Sequence, residues 1–408
     1  MKQFHPNEDW ALGMMFGMAI GDAMGAPIEF QKSREPEDYV RQYLTGGAHK
    51  VSKGEFTDDT SMALAMADAF IEANDFNPTL IMDNFLKWKN EGAYSPRGVM
   101  FDCGNTVFAA LREYEKDSTN PFTGSKDPMS AGNGGLMRLA PAIIAGRYRD
   151  EAVQFAAETT RLTHGAEEAL IYSSVLAAEL WQQEALDEFA DLKHPTNIDR
   201  HKVMSGGYVK ETYQAAWWAF QTTDCFEDCI IKAINRGHDS DTTGAVAGMI
   251  AGAMYGYSAI PDWMVDGLQW KREIEQYSYS LMRVGHRKTP RAEIDRIQKQ
   301  LIRADAAEGD VVIVDGHKCI CLCPWASYGG GATPLWAVEG IEAQLTLRLP
   351  EYPSGYIRGV CVAIDASKKQ INFESKSIRG GQHDNKANYH LTLSLSDIGR
   401  YDTNHISR

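Results

Sequence analysis

Apolar residues recur at intervals of three and four along most of the chain. The positions of Met62, Met66 and Phe70 illustrate this spacing, which is the period of an amphipathic α-helix. The pattern continues from about residue 9 to residue 307 and is interrupted by polar loops, the longest of which runs from Lys116 to Gly135. It predicts an all-α domain.

The period changes to an alternation after residue 307. A chain of 408 residues exceeds the size that one hydrophobic core usually serves. The sequence therefore predicts a helical domain over residues 1–307 and a smaller C-terminal β-rich domain of unknown role over residues 308–408. Five segments with strand-like alternation, bounded by turn residues, are Val311–Cys323, Gln344–Leu349, Tyr356–Ala363, Gln370–Glu374 and Tyr389–Leu395.

Two predicted helices carry glycine at every fourth position. Because glycine inside a helix costs about 1 kcal/mol relative to alanine, a whole face of glycine indicates close approach of another backbone. We predict that the two helices pack against each other; the alternative is that each stripe meets a different helix. The stripes are Gly13, Gly17, Gly21 and Gly25 in the first helix and Gly244, Gly248, Gly252 and Gly256 in the second.

Acidic and hydroxyl residues cluster where two apolar helices begin, at 57–60 (TDDT) and at 239–243 (DSDTT). Helix capping is the simpler interpretation, since Asp and Thr are favoured there, but capping accounts for only one aspartate in the second cluster. Carboxylate and hydroxyl oxygens are ligands of the Mg²⁺ type. If the clusters met, their carboxylates would repel each other by several kcal/mol per pair, and divalent cations would offset that repulsion.

Other candidates are individually weak. Asp22 and Glu29 lie in the sequence GDAMGAPIEF, and His164 lies in RLTHG. A glycine-rich loop can bind phosphate through its amides, but the glycines of Gly132–Gly135 are equally typical of a plain turn.

Composition narrows the classes of function. The formal net charge is −14 and no run of basic residues stands out, so we expect no direct binding of nucleic acid. Seven cysteines, an odd number, indicate reduced thiols and a cytoplasmic location, and the N-terminus does not resemble a signal peptide. The uncharged stretch from Thr242 to Ile260 has nearly the length of a membrane span, but its Gly, Met and hydroxyl residues predict a buried helix and no membrane.

Six motifs in order resemble those of the ADP-ribosylglycohydrolases, especially the group with the dinitrogenase reductase-activating glycohydrolase. The resemblance covers about residues 9 to 285 and rests on GDAMGAPIEF, FTDDTSM, DCGNT, AGNGGLMRLAP, RLTHG and GHDSDTTGAVAGMIAGAMYG. It implies the all-α fold of that family with a binuclear metal centre, two Mg²⁺ or Mn²⁺ ions, in an ADP-ribose cleft. By position, the implied metal ligands are Thr57, Asp58 and Asp59 on one side and Asp239, Asp241 and Thr242 on the other.

The resemblance also implies roles for residues around the ribose. Asp58 or Asp102, with Glu29 as a third candidate, would orient or deprotonate the attacking water. The implied substrate contacts are Asn105, Ser130, Gly132, Asn133, Gly134 and His164. The family motif often has glycine where this chain has His238, a departure that concerns substrate detail rather than metal binding.

The expected activity is hydrolysis of the N- or O-glycosidic bond between ADP-ribose and an acceptor, with arginine on a protein as the favoured acceptor. Serine, acetyl-ester and nucleobase acceptors stay open, as do small-molecule substrates. The alternative from another class is an immunity or binding protein that neutralises an ADP-ribosyltransferase by occlusion. The filled acidic positions favour an enzyme.

Overall fold

The computed structural model describes residues 8–182 and 199–284, and seven segments of the C-terminal quarter: residues 310–314, 317–328, 331–338, 342–346, 356–365, 370–379 and 389–394. The chain divides into two compact units, one of residues 8–285 and the other of residues 286–408 with residues 1–7. The boundary predicted at residue 307 lies outside the described residues.

Helices dominate the first unit, as the periodicity predicted. Twelve α-helices lie in its described ranges, 8–182 and 199–284: α1 (Glu8–Gly25), α2 (Asp58–Ala73), α3 (Pro78–Glu91), α4 (Asn105–Lys116), α5 (Ala140–Ala145), α6 (Arg149–Arg161), α7 (Glu167–Gln182), α8 (Val209–Gln221), α9 (Phe226–Ile234), α10 (Ser240–Tyr255), α11 (Asp262–Gly267) and α12 (Lys271–Leu281). Short 3₁₀ turns join them at Ala26–Ile28, Pro36–Asp38, Pro128–Ser130, Asn133–Gly135, Arg200–Lys202 and Tyr257–Ala259.

The two glycine-striped helices, α1 and α10, pack against each other, which confirms the prediction. A Cβ atom on Gly17 would lie 2.1 Å from the carbonyl oxygen of Gly248, and one on Gly21 would lie 1.9 Å from that of Gly244. Gly13 faces Gly252 in the same way. The helices are therefore antiparallel, and side chains at these positions would collide with backbone. We call this contact the glycine seam.

The seam lies in the centre of the hydrophobic core. Helices α8 and α9 pack on α10, and α12 packs on α1. Among the described residues, Glu8–Ile28 is the one segment long and apolar enough to cross a membrane. Its most apolar stretch of 18 residues is entirely buried within the fold, as expected for a core helix. Helix α10 is likewise buried over Ser240–Ala253, as predicted.

Helix starts differ in their capping chemistry. Helix α3 begins conventionally, because the side chain of Asn77 accepts a hydrogen bond from the Leu80 amide at 3.1 Å and proline follows it. At the starts of α2 and α10, the side chains of Thr57 and Asp239 make no capping bond. The side chains of Thr57 and Asp239 instead make hydrogen bonds with Asp22 and Asn133.

The second unit is β-rich, as predicted. Its described strands are β1 (Val311–Val314), β2 (His317–Tyr328), β3 (Gly331–Val338), β4 (Glu342–Thr346), β5 (Tyr356–Asp365), β6 (Gln370–Arg379) and β7 (Tyr389–Ser394). They form two antiparallel sheets with the orders β1-β2-β3 and β4-β5-β6-β7.

Two details of the strand prediction were wrong. The single strand predicted over Val311–Cys323 is two strands, with Val314 paired to His317; the intervening sequence is Asp-Gly, which is typical of tight hairpins. Strand β3 was missed because it contains Pro334, a residue that usually breaks strands. The pairing of β3 with β2 is irregular between Cys323 and Ala326, the kind of place where proline is tolerated.

Candidate active site

The site lies at the end of the glycine seam where α1 ends and α10 begins. Here a Cβ atom on Gly25 would lie 2.3 Å from the carbonyl oxygen of Ser240, and the hydroxyl of Ser240 donates to the carbonyl of Gly25 at 2.9 Å. The close backbone contact thus sets the C-terminal end of α1 beside the second acidic cluster.

Asp22, one turn before the end of α1, anchors the first acidic cluster. Its carboxylate accepts hydrogen bonds from the amide and hydroxyl of Thr57, both at 2.9 Å, and from the amide and hydroxyl of Thr60 at 3.0 and 2.6 Å. Burial raises the pKa of Asp22 to about 6, although these hydrogen bonds oppose the rise. Asp22 therefore attaches the first turn of α2 to α1 and orients Asp58 and Asp59.

Buried carboxylate oxygens without protein partners distinguish this site. Within the described residues, Oδ1 of Asp59 and Oδ1 of Asp241 are buried and have no hydrogen-bond partner. An unpaired buried carboxylate oxygen is costly unless a charge or donor satisfies it. Helix capping therefore does not account for the two clusters, and the orphaned oxygens suit a bound cation.

Glu29 joins the second cluster. One carboxylate oxygen each of Glu29, Asp239 and Asp241 lie within 4.8 Å of one another. Their segments are held together by backbone hydrogen bonds, from the Phe30 amide to the His238 carbonyl at 2.6 Å and from the His238 amide to the Gln31 carbonyl at 2.7 Å. Glu29 is therefore positioned by pairing between chain segments that are far apart in sequence.

The carboxyl groups resist ionisation because they are buried together. Burial raises the pKa values of Asp58, Asp59 and Asp241 well above the usual range, and repulsion from neighbouring carboxylates adds to the rise. Burial raises the pKa of Glu29 to about 7. It also raises the pKa of Asp102 above its ordinary value. Cations would stabilise the ionised forms.

His49 bridges two of these acids and was missed in the sequence analysis. Its Nε2 lies 2.9 Å from Oε2 of Glu29 and 3.4 Å from Oδ2 of Asp102. The hydrogen bond to Glu29 is the main cause of its raised pKa. A lone histidine in the sequence GGAHKV belongs to no motif, so only the folded chain reveals that these three side chains form a second possible metal-binding group.

The glycine-rich loop reaches the site through Asn133. Its side-chain amide donates to Oδ2 of Asp239 at 2.8 Å and to the hydroxyl of Thr212 at 2.9 Å. The amides of Gly132 and Asn133 already donate to the carbonyls of Ser130 and Gly207. A phosphate at this loop would have to use other donors.

The other substrate-contact candidates occupy different environments. Asn105 is exposed as the first residue of α4. The hydroxyl of Ser130 donates to the carbonyl of Asp127 at 2.6 Å, within its own turn. Thr242 is buried at the start of α10.

His164 lies behind the glycine-rich loop and is only 1% exposed. A Cβ atom on Gly134 would lie 2.7 Å from its Cε1, so glycine is needed in the loop for this packing. Burial, assisted by the nearby Arg138, lowers the pKa of His164 to about 3, which keeps the imidazole neutral. In this position His164 supports the loop from beneath.

Comparison with known proteins identifies the family of this chain. A family model described as ADP-ribosylglycohydrolase matches residues 5–291. The chain belongs to the ADP-ribosylglycohydrolase family. It is 34% identical over 292 residues to ADP-ribosylarginine hydrolase Tri1 of Pseudomonas putida (strain GB-1), a match that covers 67% of this chain and 78% of the relative.

Two further family members extend the comparison. ADP-ribosyl-[dinitrogen reductase] glycohydrolase of Rhodospirillum rubrum is 32% identical over 282 residues, which cover 65% of this chain and 92% of the relative. A solved structure described as an ADP-ribosylglycohydrolase-related protein complex has a TM-score of 0.59 and 33% identity and covers 68% of this chain and 98% of its own. The family and the names of these relatives support a glycohydrolase that hydrolyses ADP-ribosyl linkages.

Proposed function

We propose that the protein is a metal-dependent hydrolase that removes ADP-ribose from arginine side chains of modified proteins. The observation that carries the proposal is that two acidic helix starts lie close together, since repulsion from Asp239 adds to the raised pKa of Asp59 and repulsion from Asp59 adds to that of Asp241. Oδ1 of Asp59 and Oδ1 of Asp241 are buried and unpaired within the described residues. Two relatives named ADP-ribosylarginine hydrolase, at 34% and 35% identity, support arginine as the acceptor.

The donor set fits Mg²⁺ or Mn²⁺ better than Zn²⁺, because it is made of oxygen atoms apart from His49. Two such ions, when bound, would bind the vicinal hydroxyls of the ribose and lower the pKa of the attacking water. Asp58 and Asp59 would hold them from the first cluster, with Thr57 beside them. Asp239, Asp241 and Thr242 would hold them from the second.

Carboxylates of the site would activate the attacking water and stabilise the positive charge that develops on the ribose. Asp58 and Asp102 are our candidates for orienting and deprotonating the water. The two carboxyl groups lie close together, since repulsion from Asp102 is, after burial, the main cause of the raised pKa of Asp58. Glu29 is the third candidate. Cleavage of the glycosidic bond would pass through an oxocarbenium-like state, whose positive charge these carboxylates would stabilise.

The test is release of free ADP-ribose from an arginine-ADP-ribosylated protein, with Mg²⁺ or Mn²⁺ and with a chelator. We expect release by the wild type that depends on the metal and is lost in Asp58→Ala. The control is Asp266→Ala, which removes a carboxylate that is 70% exposed and lies outside the site. Release that persists in chelator would refute the metal requirement.

A wild type that binds metal but releases nothing would redirect the search to serine-linked or ester-linked ADP-ribose. The occlusion alternative predicts that Asp58→Ala neutralises an ADP-ribosyltransferase as well as the wild type does. Cytoplasmic location stays part of the proposal, and it rests on the cysteine content. Cys103, Cys225 and Cys229 are free thiols in the described part of the chain.

A further inference from the structure

Phe30 has a costly position beside the site, directly after Glu29. Its backbone is left-handed, with φ of +61°, a region that a bulky aromatic residue rarely occupies. Its side chain is 67% exposed, so little burial offsets that cost. Asparagine or glycine would adopt this conformation more easily, which indicates that the ring serves a purpose outside the fold.

The ring of His49 adjoins that of Phe30 and, in turn, that of Phe101. The ring centroid of His49 lies 5.9 Å from that of Phe30 and 6.1 Å from that of Phe101. We call these three side chains the aromatic wall. The carboxylates of Glu29 and Asp102 lie directly behind it, both within 3.4 Å of His49 Nε2, and they offset any positive charge that His49 carries.

The wall and the glycine-rich loop meet the acidic group through different residues. The loop contacts Asp239 through Asn133, whereas the wall contacts Glu29 and Asp102 through His49.

Phe101 already binds a guanidinium group on its ring. Cζ of Arg97 lies 3.8 Å from the ring centroid, and the same guanidinium donates to both carboxylate oxygens of Glu55 at 2.7 and 3.1 Å. Planar guanidinium groups stack well on aromatic rings. The Arg97 contact fixes Phe101 and demonstrates the kind of group that these rings accommodate.

We propose that the aromatic wall receives the acceptor side chain and that Phe30 makes the enzyme selective for a guanidinium acceptor by stacking on it. The inference rests on the proposed function and assigns its acceptor specificity to a residue. An arginine-linked acceptor presents a planar cation to an aromatic face backed by carboxylates. A serine-linked or ester-linked acceptor has neither the charge nor the plane.

The test compares Phe30→Asn, which suits the left-handed backbone but lacks the ring, with Phe30→Tyr, which keeps the ring. On an arginine-ADP-ribosylated peptide we expect Phe30→Asn to raise KM about tenfold with kcat within about twofold, which corresponds to the energy of one cation–π contact. Phe30→Tyr should stay near the wild type. Ile171→Ala, which trims another exposed apolar residue, is the control.

Inhibition by free ADP-ribose separates acceptor recognition from a general defect. Because free ADP-ribose lacks the acceptor, its Ki should be the same for Phe30→Asn and the wild type, and the thermal midpoint of Phe30→Asn should not fall. An unchanged KM, or a Ki that rises in parallel with KM, would overturn the proposal while leaving the proposed function standing. A wild type inactive on the arginine-linked peptide would overturn both.

Discussion

The glycine seam and the acidic site at its end share helices α1 and α10 and have opposite physical characters. Along the seam, α1 and α10 meet through bare backbone, and Gly17 and Gly248 leave no room for a Cβ atom. At its end the same helices present Asp22 and Asp241, both buried. The seam is neutral and closely packed, whereas the cluster gathers groups that resist ionisation.

The difference shows how the fold holds several buried carboxylates close together despite their repulsion. Close packing of the seam sets the separation of α1 and α10 to within the tolerance of van der Waals contact. That rigidity holds carboxylates together at a cost that their raised pKa values reveal, since each favours its neutral form. Stability therefore resides in the seam and function in the cluster, and substitutions should separate the two.

The largest effect is expected in the seam. In Gly17→Ala the new Cβ would lie 2.1 Å from the Gly248 carbonyl oxygen, so the helices must separate. We expect a loss of about 3 kcal/mol or more in the free energy of unfolding, measured by urea denaturation. Gly104→Ala is the control, because a Cβ there meets nothing within 4 Å, and it should cost less than about 1 kcal/mol. Equal losses in the two variants would show that the seam relaxes.

Removal of one carboxylate from the acidic site should reduce activity and metal binding without reducing stability. Asp241→Asn removes a carboxylate whose pKa is raised well above the usual range, so the metal-free protein should lose no stability. Turnover should fall by at least about a hundredfold and the rise in thermal midpoint on adding Mn²⁺ should disappear. Asp266→Asn, at an exposed position, should change neither. Retained metal binding in Asp241→Asn would remove this residue from the ligand set.

Asp22 lies between the two regions and should affect both moderately. The carboxylate of Asp22 accepts hydrogen bonds from Thr57 and Thr60. In Asp22→Asn one of the two accepting oxygens becomes an NH₂ group, which cannot accept these bonds. We expect a loss of about 1–3 kcal/mol in unfolding free energy and a fall of about tenfold in metal affinity, measured by titration calorimetry. Wild-type metal affinity would mean that Asp22 does not orient the first cluster.

The smallest effect is a dependence on pH that metal should cancel. The pKa of Glu29 is raised from 4.5 to about 7, so its contribution to stability is present below its ordinary pKa and is lost as the pH rises through 7. Without cations the thermal midpoint should fall by a few degrees between about pH 5 and pH 8. Added Mg²⁺ should therefore raise it more at the higher pH. A larger metal effect at low pH would contradict this origin.

Local pattern was sufficient for the elements of the helical domain and for the pairing of its two central helices. The three-and-four spacing reflects burial of one helix face, and the four-residue glycine stripes of α1 and α10 have little use except close packing. The two acidic helix starts could be identified because helix capping explains one aspartate of the second cluster but not both. The motifs that contain these helix starts indicated the family.

Only the tertiary structure decided which isolated side chains belong to the site. His49 belongs to no motif, yet it bridges Glu29 and Asp102. Phe30 closes the GDAMGAPIEF motif, but nothing in the motif indicates that its ring is exposed beside His49. His164 belongs to a motif, but its burial behind Gly134 depends on how a distant loop packs. Periodicity records the environment of a residue within its own element, whereas contacts between distant segments arise only when packing brings them together.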